Sequence, residues 1–259
     1  MTNKPLHIEP IPAFTDNYIW VLHRGGKHCA VVDPGDAAPV RAHLTKNGLE
    51  LTAILLTHHH WDHAGGVPEL LETWPDAQVY GPVDERLGAW NQPCREGDSI
   101  TLDSLDLAFS VLDVPAHTRS HIAFFGHGAL FSGDTLFSVG CGRLFEGTPE
   151  DMQNAMDKLA RLPRETLVYC GHEYTRDNCR FALAVEPENQ QLLARAAAVR
   201  ALREREEPSL PAVLGDELDT NPFMRTRVEH VVAAARTQAP DAEPGASTMG
   251  AIRAWKDRF

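Results

Sequence analysis

The feature that most restricts this chain is the apolar run Leu51–Leu56, followed at once by Thr57-His58-His59-His60-Trp61-Asp62-His63. A short apolar run of that kind reads as a buried strand. Here it delivers four histidines and one aspartate to its C-terminal end. In an extended chain, side chains alternate between faces, so His58, His60 and Asp62 are expected to point one way and His59 and Trp61 the other. His63 joins the first set if the chain turns. The expected metal donors are therefore His58, His60, Asp62 and His63, with His59 left out.

Further donors stand at comparable places. His117 follows the β-prone run Leu105–Val114, Asp134 follows Ala129–Ser132, and His172 follows Thr166–Tyr169. Strand ends are where α/β folds present reactive groups on a rigid frame. With thirteen histidines in the chain, one HxH spacing can arise by accident. HxHxDH joined by three donors at other strand ends is a far more demanding coincidence. Five histidines and two carboxylates exceed the needs of one zinc ion. They suit two divalent ions per chain with one carboxylate between them. Imidazole and carboxylate favour zinc, with iron or manganese as alternatives, over calcium or magnesium. Two such ions carry more charge than two carboxylates and a bridging hydroxide cancel, and bound water becomes a nucleophile near neutral pH. That chemistry is hydrolysis, with Asp62 and Asp134 as the catalytic carboxylates holding the hydroxide. The other histidines (7, 23, 28, 43, 59, 121, 127 and 230) read as surface, turn or supporting residues. Among them His121 is the candidate for supporting a ligand, being close to His117.

The rest of the chain sets the architecture. Up to about residue 173 strands and helices mix. Tyr18–Leu22 and His28–Asp33 read as strands around a Gly-Gly turn, Asp36–Lys46 as a helix stopped by Gly48, Gly66–Trp74 as a helix and Gln78–Tyr80 as a strand. Ser99–Leu102, Leu105–Val114, His121–Phe125 and Ala129–Ser132 follow as strands. Thr148-Pro149-Glu150-Asp151 opens a helix to about Leu162. Thr166–Tyr169 is the last strand. Beyond it, Asn189–Arg205, Arg225–Arg236 and Gly250–Asp257 read as helices and Glu206–Asn221 as a loop. The expected division is an α/β domain over 1–173 and a smaller all-helical domain over 174–259.

The net charge of −12 leaves no basic footprint for nucleic acid. No apolar run approaches the ~20 residues of a membrane helix, and the N-terminal residues contain no secretory signal. Five cysteines, an odd number without CxxC spacing, argue against a disulfide framework or a cysteine zinc cluster. A cytoplasmic monomer that binds neither nucleic acid nor membrane is expected.

Several segments carry a family likeness: DNYIW (16–20), THHHWDH (57–63), HTRSH (117–121), SGDTLF (132–137), GCGRLFEGT (140–148), YCGHEYT (169–175) and NPFMR (221–225). Together they resemble the metallo-β-lactamase superfamily and, within it, glyoxalase II. The resemblance implies an αββα metallo-β-lactamase sandwich followed by a helical domain. It implies one ion on His58, His60 and His117, the other on Asp62, His63 and His172, and Asp134 between them. It implies an enzyme that hydrolyses S-lactoylglutathione to glutathione and lactate. Arg143, Phe145, Tyr174, Arg253 and Lys256 match positions that contact the glutathione part of the substrate. Arg253 and Lys256 stand i, i+3 and so share a helix face. Phe145 replaces a tyrosine often found there, so one hydrogen bond to glutathione is expected to be missing. The competing expectations are a glutathione persulfide dioxygenase with one iron, or another hydrolase of the fold such as a lactonase.

Overall fold

The computed structural model describes residues 4–259. They fold into two compact units, residues 4–113 with 120–133 and residues 114–119 with 134–259.

The first unit begins with strands β1 (His7–Ala13), β2 (Asn17–His23) and β3 (His28–Val32), helix α1 (Ala37–Asn47) and strand β4 (Glu50–Leu55). Short helices α2 (Trp61–Ala64) and α3 (Val67–Thr73) follow, then β5 (Gln78–Pro82) and β6 (Asn91–Cys94). These strands form one sheet in sequence order, antiparallel from β1 to β3 and parallel from β3 to β6. Strands β7 (Ser99–Leu102), β8 (Leu107–Asp113), β9 (Ile122–Gly126) and β10 (Ala129–Gly133) form an antiparallel meander.

Burial explains the first sheet. Ile19, Val21, Cys29, Val31 and Ile54 pack with Val40 and Leu44 of α1 and Val67 and Leu70 of α3. Trp20, Leu22, Ala30 and Leu55, on the opposite face, are buried as well. A sheet covered on both faces has no need of apolar–polar alternation. That is why Leu51–Leu56 reads as one apolar run. Strand β1 lies outside the sequence expectations. Its Pro10 and Pro12 lower strand propensity, yet proline is tolerated at a sheet edge, and β1 is the edge strand.

The second unit contains the hairpin β11 (Leu136–Phe137) and β12 (Gly140–Cys141), helix α4 (Pro149–Leu159) and strand β13 (Leu167–Cys170). Helices α5 (Thr175–Val185) and α6 (Gln190–Glu204), strand β14 (Ala212–Val213) and helices α7 (Leu214–Thr220), α8 (Glu229–Arg236) and α9 (Ala246–Lys256) complete it. The Thr148–Asp151 capping box at the head of α4 is formed in both directions. The helix ends at Leu159, short of Leu162, as Pro163 disfavours helical geometry just before it.

Three expectations in this unit need correction. Helix α5 is not among the expected elements: no side chain caps it, and burial of Asn178, Phe181, Ala182 and Val185 on one face holds it. The expected loop Glu206–Asn221 contains β14 and α7, and because β14 pairs with β13 the stretch 174–259 is not all-helical as expected. Helix α8 starts at Glu229 rather than Arg225, because Arg225 pairs with the buried Glu186 through two hydrogen bonds in the turn before it.

Candidate metal centre

Beyond β4 the chain stays extended only as far as His60, whose φ of −56° and ψ of 144° precede α2. The amides of His63 and Ala64 both donate to the His60 carbonyl, at 3.0 and 2.9 Å. The expected alternation therefore stops at His60, and Asp62 and His63 are presented by a helical turn. Gly35 makes room for that turn. A Cβ there would lie 1.9 Å from the Asp62 carbonyl oxygen, so only glycine lets the two backbones approach.

In this unit His58 Nε2 and His60 Nδ1 are 3.1 Å apart, and His63 Nε2 is 3.5 Å from Asp62 Oδ2. Asp33, missed in the sequence, organises these rings. It follows β3 in the left-handed region at φ 52° and is buried. Its Oδ1 accepts the Thr57 amide at 2.8 Å. Its Oδ2 accepts the Thr57 hydroxyl at 2.8 Å and lies 3.1 Å from His63 Nδ1. The Thr57 oxygen, having donated to Asp33, is left to accept from His58 Nδ1 at 3.0 Å. By this network both histidines carry their proton on Nδ1 and keep Nε2 as the lone-pair nitrogen, the arrangement a metal ligand needs. His121 stacks on His58 with centroids 4.6 Å apart. His59 turns to Asp84, its Nδ1 3.3 Å from Oδ2. Burial works to raise the Asp84 carboxyl, but hydrogen bonds from Arg86 and Ser120 outweigh it and hold the group well below the usual range.

The second unit holds the other three expected donors. Asp134 follows Gly133, where φ is 49° and a Cβ would lie 2.3 Å from the Thr57 hydroxyl oxygen. Asp134 Oδ2 lies 3.5 Å from His117 Nε2 and 3.3 Å from His172 Nε2. One carboxylate oxygen thus stands beside two imidazoles. His117 Nδ1 faces the Arg143 carbonyl at 3.0 Å, which again leaves Nε2 as the lone-pair nitrogen. The His172 ring stacks on Tyr174 at 4.7 Å with an interplanar angle of 5°.

These spacings can be tested against a metal. Two ligands ~2.0–2.1 Å from one tetrahedral zinc ion lie roughly 3.3 Å apart. The donor pairs above are 3.1, 3.3, 3.5 and 3.5 Å apart, and the Nε2 atoms of His58, His63 and His117 among them are lone-pair nitrogens. The residues fit divalent ions. Cysteines do not compete for them, since burial pushes the thiols of Cys29 and Cys170 up to about 12.

The expected substrate residues all lie in the second unit. Arg143, Phe145 and Arg253 line a cavity of about 390 Å³ together with Pro149, Gly250 and Asp257. Phe145 is exposed. Arg253 is buried, donating to the Cys141 carbonyl at 2.8 Å and to Asp257 at 3.1 Å. Lys256 donates to Asn178 Oδ1 and lies 5.7 Å from the Phe181 ring. Burial, and then the like charge of Arg253, push its ammonium down to about 8. The two α9 cations are therefore tucked into their unit rather than spread on solvent.

The structure thus combines a mixed α/β fold with histidines and aspartates gathered beyond its strands. Residues 14–172 match the model of the metallo-beta-lactamase superfamily. Residues 173–259 match the model described as hydroxyacylglutathione hydrolase C-terminus. Hydroxyacylglutathione hydrolase of Cupriavidus taiwanensis is 53% identical over 98% of this chain and 99% of its own length. Its counterpart from Vibrio cholerae serotype O1 is 48% identical over 98% of this chain and 100% of its own. The chain belongs to the hydroxyacylglutathione hydrolase, or glyoxalase II, family. Among solved structures, ETHE1 from Myxococcus xanthus aligns with a TM-score of 0.65 at 21% identity, covering 97% of this chain and 98% of that one, a likeness of fold alone. TTHA1623 in a di-iron-bound form aligns with a TM-score of 0.59 at 26% identity, covering 84% of this chain and 99% of that one.

Proposed function

We propose that this enzyme hydrolyses S-(2-hydroxyacyl)glutathione thioesters, S-lactoylglutathione first among them, to glutathione and a 2-hydroxy acid such as lactate, the second step of methylglyoxal removal. The observation that carries the reading is the C-terminal match over residues 173–259, because the donor set alone defines only the superfamily. His58, His60 and His117 would hold one ion, Asp62, His63 and His172 the other, and Asp134 would serve both. The two-imidazole contact of Asp134 supports its role, and the di-iron form of TTHA1623 supports two ions. Zinc is the metal proposed, with iron or manganese as alternatives. Bound divalent ions supply a water nucleophile near neutral pH and positive charge for the oxygen of the attacked carbonyl.

The protein's own groups do the rest. Asp33 and the Arg143 carbonyl keep the protons of His63 and His117 on Nδ1. Arg143 and Arg253 offer cations to the carboxylates of the tripeptide. Arg253 Nε is buried without a protein acceptor among the described residues, which supports a ligand partner there. Phe145 supplies a ring face without a hydroxyl, while Tyr174 and Lys256 complete the set. The leaving thiol has a pKa near ~8.5, so it departs as thiolate and needs no dedicated proton donor. The proposal includes the functional division at residue 173 and a cytoplasmic monomer that binds neither nucleic acid nor membrane. Among the described residues no helix is long and apolar enough to cross a membrane.

The test is direct. Purified protein is assayed with S-lactoylglutathione by loss of thioester absorbance, and its metal is counted. Turnover with two ions per chain is expected. One iron per fully loaded chain with oxygen uptake on glutathione persulfide would replace this reading with the dioxygenase.

A further inference from the structure

No function is assigned so far to the turn joining β1 to β2, which leads into Asn17 and Tyr18 of β2. Phe14, Thr15 and Asp16 form it, and Phe14 sits at φ 50°, a backbone region that bulky residues avoid. Such strain persists only where the surroundings hold it in place. Two contacts do so, and both reach into the donor motif. The Phe14 ring meets the Trp61 ring edge-on with centroids 4.8 Å apart. Trp61 lies between His60 and Asp62 in the chain, and it and Phe14 are both exposed. Asn17, the first residue of β2, is buried, and its amide nitrogen reaches Asp62 twice. Nδ2 donates to Asp62 Oδ2 at 3.1 Å and faces the Asp62 carbonyl at 3.4 Å.

We infer that Asn17 is a positioning residue for Asp62: its side-chain amide, fixed by the β1–β2 turn, aims the Asp62 carboxylate and so sets the affinity of the ion that Asp62 and His63 are proposed to hold. The inference rests on that ligand assignment. Its physical basis is the freedom of α2. This helix is only four residues long, and no side chain caps it. Its hydrogen bonds cannot orient a carboxylate at its second residue. Gly35 lets the backbone of Asp62 settle closely but has no side chain to steer the carboxylate. Asn17 supplies that donor. Its bond to the same oxygen that lies 3.5 Å from His63 Nε2 selects a single rotamer. Partners that orient a metal ligand are typically worth ten- to a hundredfold in metal affinity.

The experiment uses the metal-loaded enzyme. Ions retained per chain are counted against a graded concentration of chelator, and thermal unfolding is followed in parallel. Asn17→Ala should release one ion at ten- to a hundredfold lower chelator concentration and leave retention of the other unchanged. Asn17→Asp, which keeps the shape and turn preference but sets carboxylate against carboxylate, should release that ion at least as readily. A residue that only shaped the turn would tolerate the second change. Wild-type retention by both variants would overturn the inference, as would simultaneous loss of both ions in step with a lowered unfolding temperature. Asp62→Ala separates the two levels of the argument. If it too keeps both ions, the ligand assignment itself fails. If it loses one ion while the Asn17 variants lose none, only the role of Asn17 is refuted.

Discussion

Replacing Asp33 by asparagine should cost far more than the exchange of one atom suggests. The carboxylate accepts three hydrogen bonds, from the Thr57 amide, the Thr57 hydroxyl and His63 Nδ1. An asparagine of the same shape can accept through one oxygen only. With that oxygen kept on the Thr57 amide, its NH2 group faces two donors. The Thr57 hydroxyl can relieve one clash by rotating to accept, but it then points its proton at His58 Nδ1. His63 can relieve the other only by moving its own proton to Nε2. Either change takes away the lone pair that a metal ligand must offer. A hydrogen bond to a charged group is worth about 1.5–3 kcal/mol, so losing two destabilises the fold by at least ~3 kcal/mol. At ~2–4 °C per kcal/mol for a chain of this size, the melting temperature should fall by at least ~6 °C. Metal affinity should fall at least tenfold. Circular dichroism melts and chelator competition measure the two effects, and kcat/KM for S-lactoylglutathione reports their consequence. A variant melting within ~2 °C of wild type with unchanged metal retention would falsify the tautomer argument.

Asp134→Ala should lower retention of both ions together, since one carboxylate oxygen stands beside His117 and His172; metal analysis showing two ions and near-normal turnover would refute this. Arg253→Ala should raise KM for S-lactoylglutathione by roughly ten- to a hundredfold, with kcat less affected and metal content intact; unchanged KM would detach the cavity from substrate binding. Lys256 yields a pH prediction. Its folded value of about 8 lies below the ordinary 10.5, so between those values the unfolded chain binds more protons and stability should rise with pH. In the same window KM should rise as the ammonium loses its charge, and Lys256→Met should flatten both trends in urea titrations and steady-state kinetics.

The proposed donors were legible in the sequence because His58, His117, Asp134 and His172 follow soon after strands, and the sequence marks strand ends with glycine and apolar runs. Their supports were not. Asp33 sits at a strand end just as Asp134 does, yet its role depends on reaching Thr57 and His63, 24 and 30 residues away. Asn17 stands in the sequence only as part of the DNYIW segment, and its contact with Asp62, 45 residues on, is visible only in the fold. The extended reading of THHHWDH failed at Trp61 because α2 is too short to leave a periodic signature. Helix α5 failed for a related reason, being held by burial rather than by caps.

The boundaries between the two units also bear on how such a chain can be recombined. Polypeptide passes from one unit to the other at 113/114, 119/120 and 133/134. The excursion between the first two crossings is only six residues long and contains His117. No contiguous gene fragment therefore encodes either unit alone, and a crossover at any of these points would draw donors from both parents. A crossover at 172/173, the junction of the two family matches, behaves differently. All seven proposed donors precede it, whereas Tyr174, Arg253 and Lys256, proposed to contact substrate, follow it. Hybrids made there would inherit the proposed metal-binding residues from one parent and much of the proposed substrate contact from the other, so new acyl or thiol preferences could be sampled without exchanging the proposed donors.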